Sequence, residues 1–239
     1  MESGQSRVLL VDGITAGYGK RRVLTGVSLN VDAGEIVGVV GHNGAGKTTL
    51  LKCIFRMNPI ERGTVEFNGE DISRKSSTHS VDAGMSFTPA ERPIFRDLTV
   101  IENLELGAHS LRSRSEVRHR IDEVVQVFPI LGERSGQIAG RFSGGQQRQL
   151  SLAMALMVNP RLMLLDEPSL GISPAVVEST FATIKGLAKE RGMSVLIVEQ
   201  NVKAMTQIAD RVYVLRHGEM VLEESSEAAT ARTDWWSLF

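Results

Sequence analysis

Two short stretches carry side chains suited to handling phosphate. The run Gly41-His42-Asn43-Gly44-Ala45-Gly46-Lys47-Thr48 has the spacing G-x-x-x-x-G-K-[ST]. It directly follows an apolar run, residues 36–40, and precedes a helical stretch over 48–55. Glycines at these positions let successive backbone N–H groups curl inward around phosphate oxygens. The helix that follows adds its N-terminal donors and its dipole to the same anion. Lys47 would reach the β- and γ-phosphates, and the Thr48 hydroxyl would ligate Mg²⁺. Thr49 stands where the third glycine of a dinucleotide-binding turn would fall, which favours a nucleoside triphosphate over a dinucleotide and adds Thr49 to the nucleotide-binding set.

The second stretch, Leu162-Met163-Leu164-Leu165-Asp166-Glu167, is an apolar run ending in two carboxylates. A buried strand here would deliver Asp166 to a sheet edge beside the phosphate loop, where it can hold Mg²⁺ directly or through water. Glu167 can then orient or deprotonate the attacking water. Many strands end in charged residues, so the pair takes its meaning from the phosphate loop. A third stretch, Phe142-Ser143-Gly144-Gly145-Gln146, reads as a capped helix start ahead of 147–158. Its glycines leave the helix N-terminus bare, with donors free for an external anion.

These residues need a scaffold, and the pattern is that of an α/β domain with helices packed on a sheet. Strands are expected at residues 8–11, 23–29, 36–40, 64–67, 85–88, 162–165, 195–198 and 212–215. The runs at 36, 162 and 195 are apolar throughout, as parallel strands covered on both faces are. Hairpin-like turn spacing at Gly17-Tyr18-Gly19 and Asp32-Ala33-Gly34-Glu35 predicts an antiparallel layer at the start of the chain. From about 97 to 158 the strand signal vanishes. Capping boxes at Thr99/Glu102 and Ser143/Gln146 open two helices there, and a third runs over 116–128. Ser173 and Pro174 start a further helix that ends near Gly192.

The chain has 239 residues, with 27 basic against 28 acidic side chains and a net charge of −1. That length supports one domain with a substantial core, and the near-neutral charge argues against nucleic acid as the main ligand. No apolar run approaches the ~20 residues needed to cross a bilayer, and the first seven residues lack the apolar core of a secretory signal. A soluble cytoplasmic protein is expected. Cys53 alone cannot form a disulfide framework and is expected to be a small buried residue. His42, His79, His109, His119 and His217 lack metal-ligand spacing. Arg112, Arg114, Arg118 and Arg120 read as a solvated helix face. The apolar tail Trp235-Trp236 to Phe239 packs on its own domain or docks on a partner or membrane surface, the first being favoured.

Taken in order, phosphate loop, Ser143–Gln146 and Asp166/Glu167 resemble the ATP-binding cassette (ABC) family, whose signature is usually Leu-Ser-Gly-Gly-Gln. The resemblance covers nearly the whole chain. Tyr18 sits where the family stacks an aromatic on adenine, and Ser169-Leu170-Gly171-Ile172 where it has a dimer-contacting loop. Leu98 to Leu104 resembles the stretch after its glutamine-bearing loop. The resemblance implies a P-loop NTPase of the ABC ATPase type over residues 1–239, a single nucleotide-binding domain. Its parts would be a RecA-like parallel sheet core, an antiparallel β layer and an inserted helical sub-domain at about 97–158. It implies ATP and Mg²⁺ as ligands, Glu167, Lys47 and Gln200 in catalysis, and Ser143, Gly144, Gly145 and Gln146 on the γ-phosphate of ATP held by a second cassette. That cassette would be a copy of this chain or a different one. Partners would be membrane-spanning transporter subunits, with the chain peripheral on the inner face of the cell membrane and not inserted in it.

Two positions depart from the family pattern. Its usual glutamine after the strand at 85–88 is replaced by Ala90, followed by Glu91, which could supply the missing contact. Gln200 stands where many cassettes have His; it can donate a hydrogen bond but carries no imidazolium charge. Gln200 within Val198-Glu199-Gln200-Asn201, together with Pro89, Arg92, Ile94 and Phe95, resembles the smaller ATPase subunit of branched-chain amino-acid importers. Cassettes for urea or short amides look alike. A non-transport cassette acting on DNA or ribosomes, and a module that binds nucleotide but barely hydrolyses it, are the rival readings. The loop at 90–95 is the expected contact for a membrane partner's cytoplasmic helix.

Overall fold

The structure is a computed structural model and describes residues 7–91, 93–232 and 235. Two sheets organise it. The first is antiparallel, in the order β2-β1-β4-β5, from β1 (Arg7–Tyr18), β2 (Arg21–Asp32), β4 (Arg62–Phe67) and β5 (Glu70–Asp71). The second, in the order β10-β9-β3-β8-β7-β6, comprises β3 (Ile36–Val40), β6 (Met85–Thr88), β7 (Leu162–Asp166), β8 (Ser194–Glu199), β9 (Arg211–Arg216) and β10 (Glu219–Ser225). Strands β6, β7, β8, β3 and β9 run parallel, and β10 returns antiparallel on β9. The turn after Tyr18 closes the expected hairpin. The turn at Asp32–Glu35 does not: it carries the chain from the first sheet into the second, because the wholly apolar β3 is buried only between parallel neighbours.

Alternation along the central strands divides the core. Ile36 and Val40 of β3, Met163 and Leu165 of β7, and Val195 and Ile197 of β8 point to one side. There they meet α6 (Gly144–Leu156), α7 (Pro174–Arg191) and α8 (Val202–Ile208). Val37, Val39, Leu162, Leu164, Leu196 and Val198 point to the other, toward α1 (Lys47–Ile54) and the antiparallel sheet. Cys53 is fully buried in this second core. Arg211 of β9 bonds the Asn30 carbonyl of β2 at 3.0 Å and Glu35 at 2.9 Å, tying the two sheets at one edge.

Between β6 and β7 the described chain forms helices: α3 (Val100–Gly107), α4 (Arg114–Val127), α5 (Pro129–Glu133), a 3-10 turn at Ala139–Arg141, and α6. Both expected capping boxes are present, Thr99 with Glu102 and Ser143 with Gln146. Ser173 caps α7 by position only, its hydroxyl making no capping bond, and Gly192 ends that helix at φ 61°. Four short helices, α2 (Ser77–Asp82), α5, α8 and α9 (Ser226–Ala231), were not evident from periodicity. Trp235 is partly buried against the core, as the favoured reading has it; Trp236 to Phe239 lie outside the described residues. No helix of the described residues is long and apolar enough to cross a membrane.

Candidate nucleotide site

The phosphate loop joins β3 to α1. A Cβ on Gly41 would lie 2.4 Å from the Leu215 carbonyl of β9, so only glycine lets the loop leave the sheet at this point. Gly46, at φ 109°, takes the N-cap position of α1 without a side chain and leaves the helix N-terminus open. Lys47 is 4% exposed, and its Nζ donates to the Gly41 and His42 carbonyls at 2.8 and 3.1 Å. The same ammonium lies 3.0 Å from Glu167 Oε1. The Thr48 hydroxyl donates to Asp166 Oδ1 at 3.1 Å.

Asp166 ends β7 with its carboxyl buried. Burial pushes that carboxyl above its ordinary value, and neighbouring Glu167 adds to the shift; the Thr48 hydroxyl, the Ala90 N–H and Lys47 oppose it. Glu167 turns off the strand at φ 44°, a conformation unusual for a residue with a Cβ, fixed by its N–H bonding Val198 O at 2.9 Å. That turn is what swings its side chain back onto Lys47. Strain of this kind gathers at functional sites.

These groups face one open cavity of about 740 Å³ whose wall includes Tyr18, Asn43, Gly44, Gly46, Lys47, Thr48, Thr49, Asp166 and Glu167. Tyr18 is half exposed at its rim. Pro89, Ala90, Glu91, Lys52 and Arg21 also line it. The volume suits a nucleotide, and a hydroxyl beside a carboxylate is the hard oxygen donor pair that Mg²⁺ takes.

The remaining sequence-predicted residues lie elsewhere. Gln200 is exposed and, with Gly41, His42 and Trp235, lines a separate groove of about 590 Å³. Ala45 is buried under the loop. Ser143, Gly144, Gly145 and Gln146 open α6 away from the cavity, against Gly171 and Val176. There the Ser143 Oγ accepts from the Gln146 N–H and the Gln146 Oε1 from the Ser143 N–H. Ile94 is buried and Phe95 exposed; Asn103, fully buried, pins Phe95 through its N–H at 2.8 Å and its carbonyl at 2.9 Å. Arg92 lies outside the described residues.

Two charged residues near the site received no role from the sequence, because charge ordinarily marks a solvated face; Glu199 was noted only as part of the Val198–Asn201 stretch. Glu199, 2% exposed at the end of β8, accepts from the Ser169 N–H at 2.8 Å and the Gln200 N–H at 3.2 Å. Burial pushes its carboxyl up against those bonds. Arg148 of α6 is 5% exposed and donates to the Pro89 carbonyl.

Sequence and fold comparisons place the chain in a family. The family model described as "ABC transporter" matches residues 24–170. The high-affinity branched-chain amino acid transport ATP-binding protein BraG of Pseudomonas aeruginosa is 38% identical over 92% of this chain and 94% of its own. The lipopolysaccharide export system ATP-binding protein LptB of Haemophilus influenzae is 34% identical over 92% of this chain and 91% of its own. A crystal structure of the ADP conformation of an ATP-binding cassette of an ABC transporter superposes with a TM-score of 0.85, at 26% identity, covering 94% of this chain and 93% of that one. The chain belongs to the ABC transporter family. It is an ATP-binding cassette with the family's P-loop α/β fold, an ATP hydrolase coupled to transport.

Proposed function

We propose that the cavity binds Mg·ATP with adenine against Tyr18 and the triphosphate in the loop from Gly41 to Thr49. The observation that carries the reading is the double contact at the loop's end, Lys47 on Glu167 and the Thr48 hydroxyl on Asp166. Lys47 holds the β- and γ-phosphates, Thr48 and Asp166 hold Mg²⁺, and Glu167 positions and deprotonates the attacking water. The metal would neutralise charge developing on the phosphates. Ser143 to Gln146, remote from the cavity of their own chain, serve the ATP of a second cassette. Gln200, outside the cavity, reaches the γ-phosphate only on closure.

ATP bridging two cassettes gives the closed dimer its extra affinity, and hydrolysis removes it. The chain, one nucleotide-binding domain with helices inserted at about 97–158, would work on the inner face of the membrane, with exposed Phe95 on the loop toward the membrane subunits. Import of branched-chain amino acids is the favoured task, supported by BraG and by the probable branched-chain amino acid transport ATP-binding protein LivF of Archaeoglobus fulgidus, 35% identical over 87% of each chain. Lipopolysaccharide export, from LptB, is the second reading. Light scattering of Glu167→Gln with and without Mg·ATP tests the dimer: a doubled mass supports a homodimer, and a monomer that binds ATP requires a different cassette. Loss of labelled leucine uptake in a deletion strain, with lipopolysaccharide export intact, supports import; the reverse pattern overturns it.

A further inference from the structure

We propose that Arg148 is a positioning residue for ATP hydrolysis. It is a buried cation that ties the helix opened by Ser143–Gln146 to the turn that lines the phosphate site. The inference rests on the reading of Asp166 as the carboxylate on the Mg²⁺ side.

Arg148 lies in the second turn of α6 and is 5% exposed. A guanidinium keeps its charge in proteins, so burying it requires opposing charge and acceptors. Burial pulls the guanidinium below its ordinary value, and the buried carboxylates Glu199 and Asp166, each 2% exposed, oppose that pull through their charge. The acceptor is the Pro89 carbonyl, 3.4 Å from Nη1. Arg148 therefore sits where three segment ends converge: the turn after β6, the end of β7 and the end of β8.

Each of those ends contributes to the site. Pro89 leads into Ala90, whose N–H lies against the Asp166 carboxylate and whose methyl lines the nucleotide cavity. Glu199 fixes the backbone of Ser169 and Gln200. The methyl of Ala90 has no group with which to register what happens at the phosphates. A guanidinium arriving from behind, on the helix whose N-terminus carries Gly144 and Gly145, supplies a polar connection. Movement of α6 as Ser143–Gln146 meet an anion is transmitted through Arg148 to the turn at 89–91, and through the Ala90 N–H to Asp166. A residue that merely filled space here would be replaceable by an apolar one of similar length, since buried ion clusters often exchange for hydrophobic residues without loss of stability.

The test compares the full-length chain with Arg148→Met, Arg148→Lys and Asp166→Asn. Three readouts are needed: ATP affinity in EDTA from a fluorescent ATP analogue, steady-state phosphate release with Mg²⁺, and amide exchange at Ala90 and Glu91. Arg148→Met is expected to keep ATP affinity in EDTA within twofold, lose at least tenfold in kcat, and exchange faster at 90–91. Arg148→Lys, which keeps the charge but not the fork, should fall between. Wild-type kcat and exchange in Arg148→Met overturn the proposal. So does a loss of kcat matched by an equal loss of EDTA affinity and of thermal stability. If the Met variant does not fold, Arg148→Lys decides: lowered kcat at unchanged affinity supports the proposal, wild-type kcat overturns it. Wild-type turnover in Asp166→Asn would instead bring down the reading of Asp166, and this inference with it.

Discussion

Lys47 is held by Glu167, the residue expected to act on water, so Glu167→Gln should tighten ATP binding while stopping hydrolysis. The ammonium and carboxylate are 3.0 Å apart, with side-chain exposures of 4% and 17%. A hydrogen bond between charged partners is worth about 1.5–3 kcal/mol net, and partial access to solvent lowers this to about 1–2 kcal/mol. An incoming triphosphate must take Lys47 from that carboxylate and tolerate a second negative charge beside the γ-phosphate. An amide of the same shape removes both costs without altering the backbone at φ 44°, where Gln and Glu are sterically alike. The released 1–2 kcal/mol corresponds to about 5- to 30-fold tighter ATP binding. Titration of a fluorescent ATP analogue in EDTA measures this, and raising the salt should narrow the gap between variant and wild type. Phosphate release with Mg²⁺ should fall by at least about 100-fold if Glu167 is the general base. The nucleotide-free variant should also melt slightly below the wild type, having lost the pair, and above it once ATP is bound. Equal or weaker ATP affinity in the variant would refute the competition for Lys47, and undiminished phosphate release would refute the catalytic role.

Other substitutions probe the rim, the frame and the buried charge. Tyr18→Ala should raise KM for ATP by about 5- to 150-fold, base–aromatic stacking being worth about 1–3 kcal/mol, with no shift in Tm because the ring is half exposed; Tyr18→Phe should match the wild type. A Cβ on Gly218, at φ 83°, would lie 2.0 Å from the Val23 carbonyl, whereas one on Gly192, at φ 61°, meets nothing within 4 Å. Urea denaturation should therefore show Gly218→Ala losing at least about 2 kcal/mol and Gly192→Ala only about 1 kcal/mol; equal losses would mean that the hairpin is packed differently. The Glu199 carboxyl is pushed above its ordinary value of 4.5 by burial, so the folded state holds the proton more tightly than the unfolded one. Its contribution is complete below the unfolded value and lost as pH rises through the folded value. Relative to Glu199→Gln, which does not titrate, the wild type should lose stability as pH rises from that ordinary value toward neutrality. A difference that stays flat or grows would show that its backbone partners outweigh burial.

The parallel topology explains why the site was legible where it was. Strands β6, β7, β8, β3 and β9 run the same way, so their C-terminal ends share one edge of the sheet. Any polar residue just past such a strand is delivered to that edge. Residues 41–48 and 166–167 could therefore be brought together from sequence without knowing the strand order, each following an apolar run, whereas 89–91, after the mixed run Met85-Ser86-Phe87-Thr88, were pointed to only by the family resemblance. Gln200 follows β8 to the same edge but faces the groove beyond His42, because strand direction fixes an edge and not the side of a loop. β10 escaped notice because its half-exposed, glutamate-rich strand does not look apolar, although His217 and Gly218, at φ 48° and 83°, make the turn that a right-twisted hairpin requires. Arg148 and Glu199 were illegible for a different reason. A charged residue inside a helix or at a strand end reads as solvated, and only packing places these two beneath the site. The sequence pattern thus exposes the groups proposed to meet nucleotide at the sheet edge, whereas the groups that hold those loops from below become visible only once burial and hydrogen bonding are known.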